Sequence, residues 1–243
     1  MPVLSLQSRT PEGLALASLW ALALDLSLAL MAAFWIANAM APPQDLPWKP
    51  LRLIDPPGLA TDMKFRQAAG DRRLCRAVLA EGGVRIAEVA PRTDGACAQL
   101  NAVRISGGVT PLRPAGPVMT CPQALAYAFW DRHDLRPAAR EVLGTSPSAL
   151  EHYGTYACRS IAGRDRLSEH AFANALDVAA VRFTDGRQVS VLRDFTDDDE
   201  FGVFLRRVRT GACRWFSATL SPDYNAAHRD HLHLDSGRYR VCR

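Results

Sequence analysis

Hydrophobic and polar positions fall into three regimes along the chain. From 13 to 41 the sequence GLALASLWALALDLSLALMAAFWIANAMA is apolar on every face of a helix, with Asp25 its single charge. Residues 42–62 then carry PPQDLPWKP and DPPG, a proline density that predicts an extended, polyproline-like linker. Only beyond this point do apolar residues recur with the periods of folded structure. Residues 63–80 predict a helix, and 84–89 and 99–106 predict two strands around the loop holding Cys97. Gly107-Gly108 and PLRPAGP at 111–117 close this first unit.

A second unit runs from 118 to 243. Pro122 at a helix start precedes ALAYAFWDR, and 135–143 predict a further helix stopped by Gly144. Residues 155–161 and 175–183 predict strands, with Asp185-Gly186 turning into another strand at 188–192. Phe201, Phe204, Leu205 and Val208 lie at helical spacing behind an acidic cap from Asp197 to Glu200, and 231–235 predict a short final strand. Helices and strands mix without regular βαβ alternation. The fold class is therefore α+β, a small antiparallel sheet flanked by helices behind an N-terminal apolar helix. The units are a tail at 1–12, the apolar segment at 13–41, the linker at 42–62, a small α/β subdomain at 63–117 and a main domain at 118–243.

The apolar segment is long enough to span a bilayer, which takes about twenty helical residues. Asp25 at mid-membrane costs about 2.5–3.5 kcal/mol on the insertion scale. Eight leucines between Leu14 and Leu30 nearly offset that cost. A retained anchor is the leading reading. A cleaved signal ending near Ala37-Asn38-Ala39 is the alternative, and a buried core helix is a third. Arg9 precedes the segment while Lys49 and Arg52 follow it, so charge does not fix its orientation.

Composition narrows the classes of function. Of 243 residues 48% are apolar, ample for a core, which excludes a disordered or collagen-like chain. The net charge of +4 comes from arginines interspersed with acids, Lys49 and Lys64 being the only lysines, and no basic run marks a nucleic-acid binder. Cys75, Cys97, Cys121, Cys158, Cys213 and Cys242 are even in number and never form C-x-x-C, a pattern that predicts disulfides and an oxidising compartment. Sequence proximity pairs Cys75 with Cys97, Cys121 with Cys158, and Cys213 with Cys242.

Four of the six histidines lie in SEHAFANALD at 168–177 and HRDHLHLD at 228–235. On a strand His231, His233 and Asp235 share one face while Leu232 and Leu234 enter the core. A solvent-facing polar edge is the plainer reading of that pattern. His170 and Asp177 would lie about 10.5 Å apart on a straight helix, but a turn before a strand brings both to one point. Together with one histidine of HLH they form a three-ligand N/O set of the kind catalytic zinc takes. His133 and His152 read as surface residues.

These segments resemble the zinc peptidases of the D-Ala-D-Ala carboxypeptidase, lysostaphin and hedgehog superfamily. The wider stretch, including GTYACRS, LSEHAFANALD, a late C-x-x-F, PDYNAAHRDHLHLD and the terminal CR, is similar to the bacterial extensin-like C-terminal domain family over roughly residues 46–243. The resemblance implies His170, Asp177 and His233 as zinc ligands. It implies that His231 faces the metal water or stabilises the tetrahedral intermediate. Asp230 stands where the carboxypeptidase branch has the Glu of Glu-x-x-His, one methylene shorter, so proton transfer falls to Asp230 or His231. Arg159 resembles the arginine that stabilises an oxyanion, and Ser168 the serine that holds the substrate carboxylate. Either has a plainer reading, a structural ion pair for Arg159 and a turn cap for Ser168. Ala173 stands where a glycine is usual, and His228 is expected to orient a ligand imidazole. The implied function is zinc-dependent hydrolysis of amide bonds in peptidoglycan peptides, at the periplasmic face of the inner membrane or after secretion. A non-catalytic wall-binding or scaffold module is the alternative, and a membrane-tethered assembly protein with a vestigial site is a third.

Overall fold

The computed structural model describes residues 11–93 and 95–243, so most of the tail predicted at 1–12 lies outside the described residues. Helix α1 (Pro11–Met40) follows the leucine–alanine pattern directly, since nothing in it breaks a helix. Its stretch Ser18–Met40 is long and apolar enough to cross a membrane and packs against none of the core. That exposure removes the buried-helix reading and leaves a span or a signal segment.

The proline-rich stretch is not the free extended linker its composition predicts. Leu46, Leu51 and Leu53 are buried. The buried Lys64 on α2 (Thr61–Gly70) donates through Nζ to the carbonyls of Pro43 at 2.9 Å and Leu46 at 3.3 Å. Burial lowers the Lys64 pKa, with Asp55 and Asp45 opposing. Prolines set the path of this strap, while its spaced leucines and one ammonium tie it down. The helix predicted at 63–80 is two, α2 and α3 (Arg72–Glu81). Gly70 ends the first, and Asp71 caps the second by accepting from the amides of Arg73 and Leu74 at 2.8 and 3.0 Å.

Strands β1 (Arg85–Glu88) and β2 (Ala102–Gly107) follow, then β3 (Leu112–Arg113) and β4 (Val118–Thr120). Helix α4 (Cys121–Trp130) is capped by Thr120 and almost wholly buried. A wide π-type turn over Asp131–Leu135 joins α4 to α5 (Arg136–Leu143). Pro137 has no N–H to donate into a regular ladder there, which accounts for the widened turn. Strands β5 (Pro147–His152), β6 (Ala175–Phe183) and β7 (Gln188–Ser190) lead to the short α6 (Val191–Asp194) and to α7 (Glu200–Trp215). Asp199 caps α7 as the acidic run predicts. Strands β8 (Ala218–Leu220), β9 (Leu232–Asp235) and β10 (Val241–Cys242) complete the chain.

The class is α+β, and the sheet is larger than expected. Strands β1, β2 and β4 make one antiparallel sheet, and seven strands form a second in the order β10-β8-β9-β6-β5-β3 with β7 also on β6. This second sheet is mixed, because β3 pairs with β5 and β10 with β8 in parallel. Residues 155–161, expected as a strand, form a loop with one bridge from Ser160 to Leu167. The segment predicted at 188–192 turns helical after Ser190.

One buried core runs from Leu51 to Leu234 across the boundary expected at 117/118. At its centre Phe129 lies against Phe65 and Trp215, with ring centroids 5.4 and 4.8 Å away. The two expected units therefore share their interior. The disulfides repeat the point: Cys75 joins Cys121, Cys97 joins Cys158 and Cys213 joins Cys242. Sequence proximity gives only the last pair correctly. In the other two, the packing of α3 on α4 and of the 153–160 loop on the Cys97 loop outweighs nearness along the chain. The two histidines read as surface residues are also part of this packing. His133 Nε2 is 3.0 Å from the Leu53 carbonyl, and His152 is buried with Nε2 2.9 Å from the Pro114 carbonyl.

Candidate metal centre

Three elements deliver the chemistry-bearing residues to one point. Asp177 on β6 is the register partner of His233 on β9, and the Leu232/Leu234 alternation that fills the core fixes that register. His170 comes from the short turn Glu169–Phe172 just before β6. Ser168 starts this turn, its Oγ accepting from the His170 amide at 3.3 Å. Ala173 ends it at φ 56°, the left-handed conformation that favours glycine. The reversal lets His170 double back over Asp177, which a continuous helix would forbid.

The donor atoms converge closely. His170 Nε2 is 3.2 Å from His233 Nδ1 and 3.1 Å from Asp177 Oδ2, and His233 Nδ1 is 2.9 Å from Asp177 Oδ1. Tetrahedral zinc with bonds of about 2.0–2.1 Å holds its ligands roughly 3.3 Å apart, so the donor set fits such an ion in type and spacing. His233 Nε2 is 3.0 Å from Asp235 Oδ2, the carboxylate partner that a metal-ligating imidazole usually has on its far nitrogen. These three residues form the group of ligand-type side chains close enough to hold a cation among the described residues.

Electrostatics follow from the crowding. Burial opposes the charge of Asp177, but hydrogen bonds from His170 and His233 outweigh it and hold the carboxyl far below the usual carboxylate range. Burial would also lower the His233 pKa, yet its bonds to Asp177 and Asp235 raise it to about 9. The two carboxylates on either side of His233 thus favour its positively charged form. A divalent ion can replace its Nδ1 proton.

Beside the three ligands stands a second pair. His231 Nδ1 lies 2.8 Å from Asp230 Oδ1, while its Nε2 lies 3.6 Å from Asp177 Oδ1. With Nδ1–H donated to Asp230, the lone pair of Nε2 faces the centre. His228 packs against both imidazoles, 5.3 Å from His231 and 5.8 Å from His233 between ring centroids, with Nδ1 2.7 Å from Asn225 Oδ1. Burial, then the charges of His233 and His231, push its pKa down to about 4.

Two expected residues stand apart from this constellation. Arg159 is exposed on the 153–160 loop, and no ion pair joins it to Asp177 or Asp230 among the described residues. Its carbonyl accepts from the Ser168 amide at 3.0 Å and the Ala157 amide donates to the His170 carbonyl at 3.1 Å, so the loop backs the ligand turn. Ser168 is buried as the turn's cap. Tyr153 escaped the sequence reading altogether: its amide donates to the Asp177 carbonyl at 2.9 Å and its ring lies 5.8 Å from His231. Nothing in the local pattern marks it. Gln123, buried on α4, holds the strand end by donating to the Leu234 carbonyl at 2.8 Å and accepting from Ser236 Oγ at 2.7 Å.

The profile of the extensin-like protein C-terminus matches residues 73–243. The chain therefore belongs to the extensin-like C-terminal family, with the matched region beginning further along than the resemblance at 46–243 suggests. No match was found among curated proteins or among solved structures.

Proposed function

We propose that the protein is a zinc-dependent hydrolase of amide bonds in peptidoglycan peptides, carboxypeptidase- or endopeptidase-like. The observation that carries this reading is the convergence of His170, Asp177 and His233 beside the Asp230–His231 pair. His170 Nε2, the Asp177 carboxylate and His233 Nδ1 would hold the ion. When bound, zinc supplies Lewis acidity and an acidified water. Asp235 fixes the His233 tautomer through Nε2–H, which leaves Nδ1 free to ligate. His231 takes and returns the proton through Nε2, and Asp230 holds its ring and stabilises its charged form. The shorter Asp230 side chain thus serves as an orienting partner, and the base role passes to the histidine. Ser168 positions His170 as the cap of its turn, and Arg159, on the exposed loop apart from the cluster, is given no step.

The address belongs to the same proposal. Three disulfides call for an oxidising compartment, and α1 supplies a span or export segment, which together fit an inner-membrane protein with its folded part in the periplasm. No nucleic-acid partner is assigned. The separation of Arg159 from the cluster favours a second reading, a wall-binding module that retains the metal site without turnover.

Zinc content of the detergent-purified full chain, combined with mass analysis of muropeptides incubated with it, tests both readings. One zinc per chain, lost in His170→Ala, together with cleaved muropeptides supports the hydrolase. Stoichiometric zinc with intact muropeptides selects the binding module. Wild-type protein without zinc overturns the centre. Cleavage that survives Asp230→Ala but not His231→Ala supports the assignment of the base.

A further inference from the structure

A groove lies beside the metal centre, with Tyr153 between the two. Asp177 and Ala179 point to the same face of β6, and beyond Asp177 the edge of β6 passes from β9 to β7. Over Ala179 and Ala180 lies a cavity of about 450 Å³, within the range that holds small ligands. Only methyl groups floor it, so the sheet surface stays open to a chain laid along it.

Tyr153 separates this cavity from the centre. Its side chain lines the cavity while its ring packs against His231.

The charges of the walls do not cancel. Glu151 is occupied by Arg182 Nε at 2.5 Å and Gln188 Nε2 at 2.8 Å. Arg193 has Asp194 3.9 Å away, but that carboxylate already accepts from the Ser190 amide at 2.6 Å. Arg113 is exposed and enters no ion pair among the described residues. The rim therefore presents guanidinium groups whose charge is only weakly compensated.

We propose that this groove is a substrate subsite of the metal centre, taking a peptide arm that bears a free carboxylate paired to Arg113 and Arg193. The assignment rests on the reading of the centre as one that acts on peptidoglycan peptides, and it names the part of the substrate that sets specificity. Tyr153 marks the boundary between the arm and the bond to be cut.

Isothermal titration of the full chain in detergent, with His231→Ala in every protein to stop cleavage, tests this by binding. The probes are a muropeptide with free stem carboxylates and the same muropeptide fully amidated. The proteins are the chain with both arginines and Arg113→Gln/Arg193→Gln, both exposed positions, with zinc content measured in each as a check on the fold. The free-carboxylate probe should bind the arginine variant at least about tenfold more weakly than the chain with both arginines, with zinc content unchanged and the amidated probe equally weak in both. Equal affinity of the free-carboxylate probe for both proteins overturns the subsite and leaves the hydrolase reading standing. A chain with both arginines that binds neither probe overturns that reading, and the subsite with it.

Discussion

Asp177 and His233 face each other across the β6–β9 ladder, register partners whose carboxylate Oδ1 and imidazole Nδ1 stand 2.9 Å apart. Because side chains alternate across a strand, a slip of one residue would send His233 to the opposite face and dismantle the centre. Leu232 and Leu234, both buried, hold that register. The core thus positions the chemistry, and His170 and Asp235 complete it from either side.

Asp235 should tune the metal without being one of its ligands. Asp235→Asn keeps the side-chain shape but removes the charge that receives His233 Nε2–H. Zinc affinity, measured by competition with a chelator, should fall by about 10–100-fold. Asp177→Asn should abolish stoichiometric binding.

The left-handed turn at Ala173 makes the turn sensitive to side-chain shape. Ala173→Gly removes a conformational cost of about 1–2 kcal/mol. It gives most of that back through backbone entropy and a lost buried methyl, each about 0.5–1 kcal/mol. Denaturant titration should therefore place it within about 1 kcal/mol of wild type. Ala173→Val puts a branched side chain at φ 56° in a fully buried position and should cost more than about 2 kcal/mol, with weakened zinc binding.

The Cys97–Cys158 bridge joins the loop behind His170 to the β1–β2 loop of the smaller sheet. Replacing both cysteines by alanine should cost about 2–4 kcal/mol. In a folded unit of this size that corresponds to a fall in Tm of roughly 5–15 °C by differential scanning calorimetry. Non-reducing peptide mapping should recover Cys75 joined to Cys121 and never to Cys97.

Acid should loosen the strap. Burial lowers the pKa of His133, against a smaller opposing effect of its bond to the Leu53 carbonyl. Between the unfolded value near 6.5 and the lower folded value, the unfolded chain binds the extra proton. Stability is therefore full above about pH 6.5 and declines as the pH falls toward the folded pKa. Melting curves from pH 7.5 to 5 should show this decline, and His133→Gln should make it shallower.

The alternation around HLHLD and the long apolar run were readable residue by residue, because each follows from a single element's periodicity. So was β6, whose predicted bounds match the structure. Parts that depend on distant packing were not. Strands β3, β8 and β10 span two or three residues and have no pattern of their own, being strands only because neighbours pair with them. The prolines at 42–57 suggested a free linker, and only the burial of Leu46, Leu51 and Leu53 shows otherwise. In the candidate centre, spacing and resemblance name the three residues that the fold brings together. The 2.8 Å contact of Asp230 with His231, and the place of Tyr153 beside it, needed the fold.

The bridges Cys75–Cys121 and Cys97–Cys158 interleave along the chain. Pairing by nearness along the chain would join Cys75 to Cys97 and Cys121 to Cys158, the two pairings the folded protein rejects. A chain that closed those bridges would have to exchange them by thiolate attack before reaching the native pairs. The fit of the ligand turn against the sheet is thereby coupled to the order in which the bridges close, since Cys158 lies on the loop that backs His170.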